Sequence, residues 1–560
     1  MTGSLSGQQL KGLPENFPEI HLNAHDDPEP GYVFVTPCGL WGHFLDATPY
    51  LAIVDNLGTP VYYQELDIPA FDFKLQPNGY LSFSGGGYGH FNHIMDSTYE
   101  IIAHATVDGY NGTDFHEFRI LENGNYLLLG WEDRIVDMDT VVPGGYPGVT
   151  VRGALIQEKD ENGNILWQWS SWDHFNILET DTAHAVNIFS NSFIDYVHTN
   201  AVDQDTDTSI LISSRNMHEI TKINKNTGDL MWRMGGTQNE FTFIGDDTLG
   251  FSGQHHIRKL ENGNYLLFDN GWFHPDLVSS ALELQLDEIN KTATVIKRYR
   301  SQPDDIYGVI MGSSQRLPGG HTLVGWGSGV PNVTEFKADG TKALELEFES
   351  VSYRAFKFPW KTNILCANTE HLDYGEIYYP NTANKNITIT NNIDENIFIT
   401  WIHNHTEKYY CTTSLPLQIG PGSSAEITLQ FKPEEIGDFD DVMTIYGERE
   451  NLTLQEAFAL QLNVFGSASQ EASIAQFDRG EISIYPNPSN GLIRITRNNV
   501  QEDTKYVVTN IHGQNVCMGI IPLGLQEWTI NLNAKVSGMY FIHLRSLDSE
   551  KTGYWKIIKL

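Results

Sequence analysis

Apolar and polar positions alternate along the first two-thirds of this chain in short stretches, each broken by a tight polar turn. FDFKLQPNGYLSF from Phe71, FHEFRILENGNYLLLG from Phe115 and QHHIRKLENGNYLLFDNG from Gln254 share one design. Each is a strand, an Asn-Gly pair and a second apolar strand, the strongest short-range signal for a hairpin. Weaker copies begin at His198 and Ser313. A second unit, strand, Asp/Asn-x-x-Gly turn and aromatic strand, alternates with the first. Its copies start at Leu51, Ala154, His218, Glu283 and Val333, with a degenerate one from Tyr99. Two hairpins per repeat, spaced roughly 45 to 70 residues apart, make a four-stranded blade, and six such pairings fit before Trp360. The expected fold is all-β, opening with a six-bladed β-propeller over residues 31–360 after an N-terminal extension of 1–30. A sandwich array lacks such alternating hairpins, and β-helix coils are much shorter.

Past Trp360 the texture changes. NITITNNIDENIFITWI, LQIGPGSSAEITLQF and VMTIYG are short alternating strands between turn clusters, and predict an immunoglobulin-like β-sandwich over 361–465. The small, polar stretch 466–481 reads as a linker. Residues 482–560 carry Tyr485, Pro486, Asn487, Pro488 and Gly491 as YPNPxxG, then Gly513 and Val516, then Gly538 and Tyr540, ahead of the lysine-bearing end KIIKL. By pattern alone this is a small antiparallel β domain. Its motifs closely resemble the C-terminal sorting domain of type IX secretion, and that resemblance implies export through that machinery to the cell surface or beyond.

Charge narrows the partners. Against 35 Lys and Arg stand 71 Asp and Glu, a formal net charge of -36, with no basic run. A nucleic acid backbone needs a positive face, so that class of partner is not expected. An anionic small substrate would be repelled at long range and needs a local site of Arg, His and backbone N–H groups. The 4 cysteines, Cys38, Cys366, Cys411 and Cys517, have no CxxC spacing, which sets aside thiolate zinc sites. Cys366 and Cys411 fall in one expected domain and are the pair able to form a disulfide in an oxidising compartment. No apolar run of membrane-spanning length occurs. The first ten residues lack a signal-peptide pattern, and the expectation is that the sequence begins after a removed signal.

Candidate chemistry comes from histidines. Superposing FHEFRILENGNYLL on HHIRKLENGNYLL sets His116 opposite His255 and Arg119 opposite Arg258. His116 and His255 each stand seven residues before the turn Asn, and His198 stands seven before Asp205. Inner propeller strands face the channel, so one register in three successive blades predicts one meeting point. Strand alternation sends His255 there and His256 to the opposite face, as packing or support. Asn200 shares the face of His198, and Arg215 ends the same hairpin, where a guanidinium fork suits a tetrahedral oxyanion. Three imidazoles also suit zinc or copper, but no carboxylate shares their register and Arg215 would sit beside the cation. The alternative is a neutral imidazole attacking an electrophile while its neighbours neutralise the transferred group.

YVHTNAV, ILISSRNMHEITKI and QHHIRKLENGNYLLFDNG resemble the bacterial arylsulfate sulfotransferases, over roughly 31–360. The resemblance implies a six-bladed propeller that moves a sulfuryl group from an aryl sulfate donor to a phenolic acceptor through a sulfohistidine, with no nucleotide donor and no cofactor or metal. It implies His255 as nucleophile, with His198, His116 and Arg215 as its catalytic partners. Asn200, His256 and Asn270 are the expected substrate-binding residues. His256 stands where an Asp commonly follows the nucleophile, which leaves open what orients His255. Trp131, Trp272, Phe273, Trp326 and Tyr353 are aromatic candidates to stack on an aryl group. Two other classes compete: a non-catalytic surface propeller that binds glycans or proteins, and a metal-dependent hydrolase or lyase.

Overall fold

A computed structural model describes residues 12–39, 47–85, 91–206, 208–245, 250–450, 454–470, 476–477, 480–549 and 551–560. The expectations for the first ten residues and for the middle of the linker fall outside these. The described residues are all β, relieved only by three-residue 3-10 turns. Two compact units emerge, one of residues as far as 377, 381–434 and 438–467, the other of 378–380, 435–437 and 468–560.

In the first unit, successive sheets, each built on a run of four antiparallel strands, form a β-propeller; two stop at four strands, three carry a fifth and one runs on to nine. Their inner strands, in chain order, are Ala70–Leu75, Gly112–Ile120, Thr199–Thr206, His255–Lys259, Ser313–Arg316 and Val351–Phe358. Each neighbours the next, and the last returns to the first, so the ring closes. Closure is made by chain ends from opposite sides of the sequence: Val351–Phe358 pairs with Tyr32–Cys38, with Phe34 opposite Phe356. The sheet lying between two neighbours is buried on both faces, which explains why its second strand reads as an unbroken apolar run rather than an alternation. Ser209–Ser214 and Tyr265–Asp269 are buried at every position.

The expected boundaries shift at both ends of this unit. Ile20–His25, assigned to the N-terminal extension, pairs with Lys342–Phe348 and adds a fifth strand to the fifth blade. After residue 360, Leu365–Ala367, Ala383–Asn391, Ser424–Phe431 and Tyr409–Cys411 make one sheet, while Ile397–His403, Leu417–Ile419, Gly437–Arg449 and Glu456–Gln470 belong to a second. That second sheet is continuous with the closing blade, because Glu456, Ala457 and Phe458 pair with Gln64, Tyr63 and Tyr62. Its apolar residues join one core with those of the blade. The strand runs on to Gln470, so the start of the expected linker is strand. Cys366 and Cys411 are free thiols, lying near Asn392 and the Thr413 carbonyl.

The second unit holds a three-stranded and a four-stranded sheet around Ile493, Ile495, Val508, Ile542 and Leu544. Arg497 is buried there with its guanidinium donating to the carbonyls of Glu502, Pro522 and Leu525, which satisfies the charge without a carboxylate.

Candidate active site

Inner-strand starts bring the histidines to one end of the channel. His116 and His198 meet edge to face with ring centroids 4.8 Å apart. Both line a cavity of about 160 Å³ with Asp114, Trp131, Arg152 and Asp195. His255 is buried beside them, and its proton affinity answers to Arg215, His116 and His198.

Each imidazole is held through Nδ1, but not by the same chemistry. His116 Nδ1 lies 2.5 Å from Asp114 Oδ1, and Trp131 Nε1 donates to the other carboxylate oxygen at 2.7 Å. His198 Nδ1 lies 2.7 Å from Asp195 Oδ2. His255 Nδ1 instead meets two neutral oxygens, Asn270 Oδ1 at 2.8 Å and the Gly253 carbonyl at 3.0 Å. Both are acceptors, so Nδ1 carries the hydrogen and Nε2 keeps its lone pair. Burial first, then Arg215, drives the His255 pKa well below its ordinary value, against the opposing pull of Asn270. The ring is therefore neutral at physiological pH. Burial pushes Asp114 upward, but His116 beside it prevails and leaves Asp114 below the usual carboxylate range.

Arg215 arrives by the hairpin Thr199–Thr206 and Ser209–Ser214. Thr199 pairs with Ser214, and the Arg215 N–H donates to the His198 carbonyl at 3.0 Å, which fixes the two side by side. Its guanidinium stacks over Trp272 at 4.6 Å and touches the Asn216 side chain at 3.2 Å. Among the described residues it makes no ion pair, and its Nε is buried without a partner. Burial lowers its pKa to about 10, which still leaves it a cation. The half-buried guanidinium, with Asp195 acting on it only through space, keeps hydrogen-bonding capacity that an anion can fill.

Several expected residues fall elsewhere or act differently. Asn270 is fully committed, holding His255 with Oδ1 and donating Nδ2 to the carbonyls of Gly308 and Met311 at 2.7 and 2.9 Å. It answers what orients His255 and has no donor left for substrate. Asn200 donates Nδ2 to the Gln254 carbonyl at 2.8 Å, leaving Oδ1 buried and unpartnered. His256 is not brought to this group. It sits at φ 55 where the strand register slips between His255 and Arg258, and the bulge turns its ring toward Ser314 and Phe356. Trp326 is sealed in the core against Phe268 and Phe336. Phe273 and Trp272 pack on His218, and Tyr353 lies 5.8 Å from His116.

Asp114, Asp195 and His218 were missed from the sequence. Asp114 stands two residues before His116, and strand alternation alone places it on the same face. His218 is set by a left-handed backbone after the 3-10 turn Arg215–Met217. Its Nδ1 accepts from the Gly253 N–H at 2.8 Å and its Nε2 faces Asp181 at 2.9 Å, so it props the loop whose carbonyl holds His255.

Below the histidines an ionic cluster fills the channel. Arg354, wholly buried, donates to Asp72 at 2.6 Å, to Glu117 at 3.0 Å and to the Asn200 carbonyl at 2.7 Å. Lys74 meets Asp72 and Glu117, and Arg258 reaches Glu117 at 2.7 Å. Burial would raise Glu117, but Arg258, Arg354 and Lys74 hold it well below the carboxylate range. Among the described residues, the one set of three or more His, Cys, Asp or Glu ligand atoms within 4.8 Å of one another is Glu19, His21 and Glu349, at the outer strands of the fifth blade.

No curated protein matches this chain. Among solved structures, PorZ, an essential bacterial surface component of the type-IX secretion system of Porphyromonas gingivalis, is 10% identical, with 98% of this chain and 61% of that one covered at a TM-score of 0.31. The β-propeller domain of Cps50 (Swd1) from Myceliophteria thermophila is 8% identical, with 62% of this chain and 95% of that one covered at a TM-score of 0.30. Two family models match, and they divide the chain as its histidine-bearing blades and its terminal β unit do: it carries an arylsulfotransferase (ASST) domain over residues 75–349 and a secretion system C-terminal sorting domain over residues 483–559.

Proposed function

We propose that the protein is an arylsulfate sulfotransferase that works without a nucleotide donor, through a sulfohistidine at His255. The observation that carries this reading is the pairing of a fixed, neutral imidazole with a half-buried guanidinium that makes no ion pair among the described residues: His255 presents an Nε2 lone pair, and Arg215 presents a charge open to an anion. The arylsulfotransferase domain supports the substrate class.

In the first half-reaction Nε2 attacks the sulfur of an aryl sulfate. The N–S bond forms as the S–O bond to the aryl oxygen breaks, and the leaving phenolate takes a proton from His116 or His198. The positive charge gained by the His255 ring is spread toward Asn270 and the Gly253 carbonyl through Nδ1–H. Arg215 binds the sulfuryl oxygens, and donors placed in this way supply on the order of 3 kcal/mol each in the transition state. In the second half-reaction an acceptor phenol returns its proton to the same imidazole, its oxygen attacks sulfur, and the N–S bond breaks. The C-terminal sorting domain supports a secreted or cell-surface setting for this chemistry.

The test is p-nitrophenyl sulfate with and without added phenol, alongside intact-mass measurement after donor alone. Phenol-stimulated release of nitrophenol and one sulfuryl adduct are expected, both absent from His255→Asn. Unchanged turnover in folded His255→Asn would overturn the mechanism.

A further inference from the structure

The end of the propeller channel remote from the histidines holds a cavity of about 1030 Å³, lined by residues from the far ends of the inner strands. Lys259 lies four residues beyond His255, past the bulge at His256. The Asp72, Lys74, Glu117 and Arg354 cluster stands between the two ends.

Charge in this cavity is layered. Arg119, Arg258, Lys259 and Arg316 line it, and each is backed by a carboxylate: Asp203, Glu117, Asp205 and Glu283 respectively. The cationic side chains are 16 to 27% exposed, while those carboxylates are at most 6% exposed. The pairs of Arg258, Lys259 and Arg316 are therefore oriented, with positive heads on the wall and Glu117, Asp205 and Glu283 behind them, while Asp203 shares the wall with Arg119 and Glu261 also lines it. The result is a locally positive face on a chain of net charge -36.

Apolar wall and unfilled polar capacity complete the picture. Phe356 and Phe358 line the same space. So does His256, whose ring is 2% exposed. Its Nδ1 is held by the Ser314 carbonyl at 3.0 Å, but its Nε2 is buried with no hydrogen-bond partner among the described residues. A buried ring nitrogen left unsatisfied is a desolvation cost that a polar group of a bound molecule would recover.

We propose that this cavity is a second ligand site, separate from the sulfuryl-transfer site, and that it takes an organic anion with an apolar body. The acid group meets Arg258, Lys259 and Arg316, the apolar body lies on Phe356 and Phe358, and a polar substituent reaches His256. The space matches a drug-sized molecule, since ligand pockets commonly span about 300–1,000 Å³. Partly exposed cations make the affinity sensitive to ionic strength.

The probe is 2-naphthalenesulfonate, whose carbon–sulfur bond rules out transfer, titrated calorimetrically into wild type, Lys259→Gln/Arg316→Gln and Arg215→Gln. Binding that weakens at least about tenfold in the double variant, persists in Arg215→Gln and declines with added salt is expected, because two charge-assisted contacts are lost. The double variant should fold and turn over p-nitrophenyl sulfate within about twofold of wild type, since neither residue belongs to the His116, His198 and His255 group. Lys259→Gln alone gives a smaller loss in the same direction. Binding that is untouched by the double variant, or that vanishes in Arg215→Gln, overturns the second site and leaves the sulfuryl-transfer reading standing.

Discussion

The two ends of the propeller channel treat positive charge in opposite ways. At the histidine end Arg215 lies half-buried against Trp272 and, among the described residues, makes no ion pair with a carboxylate. In the middle and at the far end Arg354, Lys74, Arg119, Arg258, Lys259 and Arg316 each meet one. The lesson is that a charge left open can be completed by a ligand alone, whereas a paired charge holds the ring together and offers a ligand only what its carboxylate leaves free. The same division separates the imidazoles: His116 and His198 lean on carboxylates, while His255 leans on an amide and a carbonyl.

Substituting the central arginine should break this contrast most severely. Arg354→Met leaves Asp72 and Glu117 buried with fewer counter-charges, and a loss of about 3–5 kcal/mol is expected by chemical denaturation. Arg215→Gln should do the reverse, lowering kcat/KM about 100- to 1,000-fold while changing stability by less than about 1 kcal/mol. Equal destabilisation of both would show that Arg215 is a structural residue.

Exchanging the support of His255 sharpens the comparison between imidazoles. In the wild type the His255 pKa lies well below its ordinary value, so activity should hold as pH falls through 6.5 and fail only in more acid solution. Asn270→Asp gives His255 the kind of partner that His116 has, stabilises the imidazolium and raises the pKa. The acid limb of the rate profile should then move upward, with about tenfold or more loss at neutral pH. An unmoved profile would mean that Asn270 does not govern the protonation of His255. The smallest effect is expected from Trp272→Leu, which removes the stacking face beneath Arg215 and should raise KM several-fold, in keeping with about 0.5–2 kcal/mol for a cation–π contact.

Much of the architecture was legible because hairpins are local. The Asn-Gly turns at 78–79, 123–124 and 262–263 mark where inner strands turn into the buried second strands. The register of His116, His198 and His255 is likewise local, and the structure brings those rings to one end of the channel. What sequence pattern did not reveal depends on backbone departures from the strand. His198 and His256 both have positive φ, 51 and 55, so alternation, which rightly kept His256 from the histidine group, does not show that a bulge turns it toward Ser314 or how Asp195, three residues away, reaches His198. Asn270 was assigned to substrate because its two carbonyl partners come from a loop near residue 310, distant in sequence. The fifth strand from Ile20–His25 escaped notice since it lacks the hairpin signal altogether.

The shared sheet also has a mechanical side. Glu456–Gln470 is the strand through which the chain leaves the first unit, and its hydrogen bonds with Pro60–Glu65 stitch it to the blade that closes the ring. Tension on the downstream chain would thus load those bonds along the strand axis, in shear, where several must yield together.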